Sequence, residues 1–155
     1  MSKAFTREGE TGDVHVAVRP RPHAGPVTPL GARLARERLV DLSARLERAN
    51  GAEERAVLEV ERERIAVVAA APVGQLAAHG DVVAFGAQVS VRDPAGKERV
   101  FVVASADEIG LVPHAASATS PVARALLGAH PGDVVEFRGP RGLEELTVVD
   151  VSFPS

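Results

Sequence analysis

The chain contains no cysteine, no tryptophan and no tyrosine in 155 residues. Without cysteine there is no disulfide, no thiolate metal site and no cysteine nucleophile. Aromatics make up 3% of the sequence, all five of them phenylalanine. That argues against the base-stacking grip by which proteins hold single-stranded nucleic acid. Positive charge is not in excess either. The formal net charge of −3 supplies no overall attraction to a phosphate backbone and leaves only local basic patches for such a role. No apolar run approaches the length of a membrane span. The opening MSKAFTREGE lacks the apolar stretch of a signal peptide. A cytoplasmic protein is expected.

Chemical motifs are also scarce. The histidines, His15, His23, His79, His114 and His130, are scattered, and none stands at metal-ligand spacing from another histidine or a carboxylate. His114 and His130 fall in loops and read as solvated side chains. Ser117 and Ser120 lack the GxSxG setting of a nucleophile elbow. No glycine-rich phosphate loop occurs, and Gly139-Pro140-Arg141-Gly142 reads as a hairpin turn. No cofactor or metal is expected.

What is present is the patterning of a folded chain, 45% hydrophobic and 25% charged, long enough for one domain or a small domain with a helical appendage. Residues 1–27 are polar and read as a flexible tail, with one strand-like alternation at residues 13–18. Residues 28–71 read as a helical hairpin. Thr28 and Pro29 form an N-cap and a first-turn proline. Ala32, Ala35, Leu39, Leu42, Leu46 and Ala49 then recur at spacings of three and four, which makes one apolar stripe. Asn50-Gly51 is expected to break the helix by taking up positive φ. A second helix from about Glu53 carries a thinner stripe of Leu58, Ile65 and Val68, with Glu61 in the seam. Between Arg33 and Arg48 five arginines face three acids, and between Glu53 and Arg64 five glutamates face three arginines. Antiparallel pairing sets these faces together. A coiled-coil dimerisation arm is the alternative, and a monomer is expected.

Residues 72–79 read as a linker. Residues 80–155 read as an antiparallel sheet with one short helix, so the fold class is α+β. Strands are expected at residues 82–85, 88–92, 100–103, 134–137 and 146–151, with Asp93-Pro94-Ala95-Gly96 as a turn. Between them, Ser120 is a good N-cap, Pro121 suits the first helical position and Gly128 suits the left-handed close of a helix of about two turns.

The wording of this segment, Ser120-Pro121-Val122-Ala123-Arg124-Ala125-Leu126-Leu127-Gly128 followed by Gly132-Asp133, resembles the C-terminal domain of the bacterial Gre factors. Phe85-Gly86-Ala87-Gln88-Val89 is similar to that domain's first strand, Ala106-Asp107-Glu108 to its acidic loop, and Thr28-Pro29-Leu30-Gly31 to the start of the family's coiled coil. The resemblance implies an FKBP-like C-terminal fold. It also implies docking at the rim of the RNA polymerase secondary channel, with Ser120, Pro121 and Arg124 in the docking surface and nucleic acid met only through the elongation complex.

Cleavage-stimulating Gre factors carry an acidic tip, GDLSENAEY, whose carboxylates help hold a second Mg²⁺ in the polymerase. Here Asp41-Leu42-Ser43 echoes it but Ala44-Arg45-Leu46 follows. The hairpin also looks shorter than the family pattern, as in the Rnk-like relatives. A carboxylate must reach within about 2.0–2.6 Å of its metal, so a shortened arm points to a non-enzymatic polymerase-binding regulator that occludes the channel or competes with cleavage factors. Two alternatives stand beside it. Glu53 and Glu54 at the tip could substitute for the missing acids and support cleavage. An FKBP-like peptide-binding module or prolyl isomerase is the other, although Phe85, Phe101 and Phe137 are few aromatics for such a pocket.

Overall fold

The computed structural model describes residues 25–74 and 80–155. The tail reading for residues 1–24, with its strand-like run, and the linker residues 75–79 lie outside these. Two helices form the hairpin, α1 at Pro29–Arg48 and α2 at Ala52–Ala70. The Thr28 side chain accepts from the Gly31 N–H at 2.9 Å and Pro29 occupies the first turn, as the cap chemistry requires.

The expected stripes meet. Ala32, Ala35, Leu42 and Leu46 from α1 are buried with Leu58, Ile65 and Val68 from α2, and Leu39 packs on them. Burying a Leu, Ile or Val side chain contributes about 1.5–3 kcal/mol, so this seam holds the arms together. The expected charge complementarity is met in one cross-arm pair, in which Arg38 donates to Glu61 at 2.7 and 3.0 Å. Its side chains are 36% and 29% exposed, which limits such a pair to about 0.2–1 kcal/mol. The hydrogen bond to Glu61 also holds the Arg38 guanidinium above its ordinary pKa.

The turn differs from expectation in mechanism. Neither Asn50 nor Gly51 takes a positive φ. Ala49 is extended at φ −66°, ψ 124° and Gly51 at φ −104°, ψ 142°. The reversal works because Gly51 is the N-cap of α2, its carbonyl accepting from the Arg55 N–H at 3.0 Å, while the Arg55 guanidinium reaches back to the Ala49 carbonyl at 3.3 Å.

The hairpin also extends past the bounds of 28–71. Val27, placed in the tail by its polar surroundings, is fully buried in the hairpin cluster. Its N–H donates to the Pro72 carbonyl at 2.9 Å and its carbonyl accepts from the Gly74 N–H at 2.8 Å. Residues 72–74, expected as linker, therefore close the hairpin base, because buried backbone groups at Val27 need partners.

The second unit is a five-stranded sheet in the order β3-β2-β1-β5-β4, with β1 at Gln88–Arg92, β2 at Glu98–Ala104, β3 at Ala115–Ser117, β4 at Val134–Gly139 and β5 at Gly142–Ser152. All neighbours run antiparallel except the short edge strand β3, which is parallel to β2. The sheet is thus mixed, since β3 follows β2 through a loop that crosses back rather than through a hairpin. Val89 and Val91, alternate residues of β1, are buried with Leu146 and Val148 of β5 and Val103 of β2. The helix α3, Pro121–Leu126, presses Ala123 and Leu126 into the same cluster.

Residues 82–85 are not a strand. Gly86 takes φ 88° and turns the chain before β1. Val83 instead bonds the end of α3: its N–H donates to the Ala129 carbonyl at 2.9 Å, and its carbonyl accepts from Gly128 at 2.8 Å. Val83 is thus buried in the sheet cluster, paired with the residues that follow the helix and not with a sixth strand.

The two units meet at Glu108. This residue ends a 3₁₀ turn at Ala106–Glu108 and is fully buried, with its carboxylate against the first turn of α1.

Candidate functional site: the short helix, its cleft and the hairpin tip

The three residues expected to dock a partner share one element. Ser120 caps α3 by accepting from the Ala123 N–H at 3.4 Å, and the Arg124 N–H donates to the Ser120 carbonyl at 3.0 Å. Pro121 and Arg124 are exposed, whereas Ala123 and Leu126 are buried. The helix therefore has one face sunk in the core and another presented outward. Gly128 closes it at φ 85°, the left-handed geometry expected from sequence. Held by its cap, by the pairing of Gly128 with Val83 and by two buried side chains, this outward face is preorganised.

Beside it lies a cleft of about 1030 Å³ that Pro121 and Val122 line together with Phe101, Phe137, Leu143 and Arg138. Arg99, another wall residue, stands over the Phe101 ring at 5.1 Å from its centroid, within cation–π range. Arg99 also lies 3.8 Å from Glu144. Aromatic and aliphatic side chains share its lining with charges of both signs, Lys97, Arg99, Arg138 and Arg141 beside Asp93, Glu144 and Glu145. Sequence reading missed it because its walls come from β2, α3, β4 and β5. Of the three phenylalanines considered for an isomerase pocket, Phe101 and Phe137 line it, while Phe85 packs near Gly74 at the hairpin base.

Glu53 and Glu54 stand in the first turn of α2, exposed, at the far end of the hairpin from the sheet. Acidic side chains there favour the positive end of the helix. Asp41, the echo of the family's tip motif, lies within α1 and bonds Arg38 at 2.9 Å. At 20 residues, α1 is roughly 30 Å long at about 1.5 Å per residue. Among the described residues no group of three or more histidine and acidic side chains is arranged to hold a metal ion. His114 is exposed at φ 59°, and the exposed His130 lies 3.7 Å from Asp133, so neither faces a buried partner. No described helix is long and apolar enough to cross a membrane.

The family model described as transcription elongation factor, GreA/GreB, C-terminal matches residues 77–153, the stretch that builds the sheet, α3 and the cleft. The chain is a member of the Gre-factor family. Among its relatives, the transcription elongation factor GreA of Anaeromyxobacter sp. is 39% identical over 88 residues, spanning 56% of this chain and 53% of that protein. GreA of Nitratidesulfovibrio vulgaris is 37% identical over 75 residues, spanning 48% of this chain and 46% of that protein. The chain thus spans about half the length of the curated relatives it matches. The solved structure of GreA factor homolog 1 of Thermus thermophilus aligns with a TM-score of 0.42 at 25% identity, covering 84% of this chain and 99% of that one.

The main residue that sequence reasoning missed is Glu108, which the resemblance placed only in an acidic loop. Two signals pointed to it. Ser105-Ala106-Asp107-Glu108 has the S-x-x-E spacing of a capping box, and Gly31 stands inside the first turn of an otherwise strong helix, where a glycine marks a close approach.

Proposed function

We propose that this chain is a Gre-like regulator of transcription. In this reading it binds RNA polymerase at the rim of the secondary channel through the outward face of α3 and the adjoining cleft, and its hairpin occupies the channel without stimulating cleavage. It acts in the cytoplasm as a monomer and catalyses nothing itself. The observation that carries the reading is the pairing of a capped helix that presents Pro121 and Arg124 outward and a hairpin whose Asp41 is held in mid-helix by Arg38 instead of standing at the turn.

The test is RNA cleavage in a backtracked polymerase complex with a genuine cleavage factor present and this chain titrated in. A falling rate supports shared docking without a working tip. An unchanged rate, at concentrations where the chain is soluble and folded, overturns it. Pro121→Ala and Arg124→Ala should weaken the competition while leaving the far-UV spectrum unchanged.

A second reading has one observation in its favour: Glu53 and Glu54 are exposed side by side at the tip, where a metal in the channel would meet them. Here the chain raises cleavage, and Glu53→Ala with Glu54→Ala abolishes the rise but not binding. A third, an FKBP-like peptide-binding module, draws on Phe101 and Phe137 in the cleft. Turnover of a proline-containing peptide would separate it from both.

A further inference from the structure

Glu108 lies apart from α3 and its outward face, yet it is the one acidic residue that is buried among the described residues. It is 0% exposed. Its Oε1 accepts from the Thr28 N–H at 2.9 Å and from the Thr28 hydroxyl, both at the start of α1. Its Oε2 accepts from the Ser105 N–H at 2.7 Å, at the start of its own 3₁₀ turn. Both oxygens thus have hydrogen-bond partners, as a buried polar group requires. One side chain thus ties the hairpin to the sheet unit across 80 positions of sequence.

Gly31 completes the fit. A Cβ built there would lie 1.9 Å from Glu108 Oε1 and 2.7 Å from its Cδ, a distance no side chain tolerates. Since Gly31 sits in the first turn of a helix, where glycine is unfavourable relative to alanine, the close approach of Glu108 accounts for it. Other contacts among the described residues also span the joint: Leu111 packs on the hairpin cluster, Phe85 lies against Gly74, Arg64 reaches the Ile109 carbonyl at 3.4 Å, and Arg33 reaches the Ser155 carbonyl at 3.3 Å. Both guanidinium contacts are exposed.

We propose that Glu108 is the positioning residue that sets the direction of the hairpin relative to the sheet unit, with Thr28 and Gly31 as its seat. A hairpin anchored at its base by one buried bridging side chain swings at its tip when that anchor goes, because a small rotation at the base is multiplied along the arm. The proposal concerns the free chain, so it stands or falls independently of any polymerase partner.

The absence of native cysteine makes the test direct. Spin labels are placed on the full chain at Ser43→Cys in the hairpin and Lys97→Cys in the sheet unit, both exposed, and the distance distribution is measured by pulsed electron resonance. The parent is expected to give one narrow distance. Glu108→Ala and Gly31→Ala should each lose that single peak for a broad or shifted distribution while keeping the parent's helical signal. Leu58→Ala, which weakens the hairpin seam without touching the joint, should keep the peak. Should Glu108→Ala not fold, Gly31→Ala decides alone. An unchanged peak in the variants that fold, or equal broadening in Leu58→Ala, overturns the proposal.

Discussion

The hairpin and the sheet unit solve the same problem with opposite means. The hairpin is held by a single seam of short-range order: residues three and four apart on each helix, matched across one turn, with Val40, Val57 and Val60 left exposed at 64–74% on the outer faces. The sheet unit has alternate residues of β1, β2 and β5 converging with α3 on one cluster, and its cleft joins residues of β2 and α3 to the β4–β5 hairpin. A local seam makes a long, narrow element that can project. Non-local convergence makes a surface whose side chains are fixed from several directions. A projecting arm and a rigid surface therefore call for different kinds of sequence, and the chain supplies one of each.

The largest test of this contrast is a matched pair of core truncations. Leu42→Ala in the seam and Leu126→Ala under α3, both fully buried, should each destabilise by about 2–5 kcal/mol in urea titration. Amide exchange should separate them. Leu42→Ala should leave protection at Val89 and Val91 intact, and Leu126→Ala should leave protection across the α1–α2 seam intact. Loss of protection in both units from either change would mean that they unfold as one.

Glycine at the two helix boundaries sharpens the contrast at intermediate scale. Gly128→Ala must place a side chain at φ 85° and should cost about 1–2 kcal/mol. Gly51→Ala, at φ −104° with open space around its Cβ position, should change stability by no more than about 0.5 kcal/mol. There the smaller flexibility of the unfolded chain offsets a slightly poorer cap. Thermal melts of both variants check it, and a Gly51→Ala loss as large as that of Gly128→Ala would restore the positive-φ turn.

Smallest is the electrostatic effect. A double-mutant cycle on Arg38→Ala and Glu61→Ala should give a coupling of about 0.2–1 kcal/mol that shrinks with added salt. A larger, salt-insensitive coupling would mean that charge, not the apolar seam, selects the pairing of the arms.

Legibility followed the same division. The stripe from Ala32 to Ala49, the Thr28 cap, the Asp93 turn and the capped helix at Ser120 could be read because their partners lie within a few residues of sequence. The place of Ser120, Pro121 and Arg124 on one capped helix was legible in this way, as was that of Glu53 and Glu54 beside the turn. Residues 82–85 were misread because an apolar run carries no mark of whether a strand or a helix end will cover it. Val27 was misread because its polar neighbours hid a single buried contact.

The sequence by itself determined the helices, their apolar faces, the turns that glycine and proline enforce, and the absence of thiol chemistry, since each depends on local geometry or on composition. Tertiary structure alone decided the rest: the parallel edge strand β3, the cleft beside Pro121, and the burial of Glu108 between Ser105 and Thr28. A carboxylate in a loop has the same local sequence whether it faces water or caps a distant helix. Only the approach of the Thr28 N–H and hydroxyl from the other unit, with room left at Gly31, makes the second state the stable one.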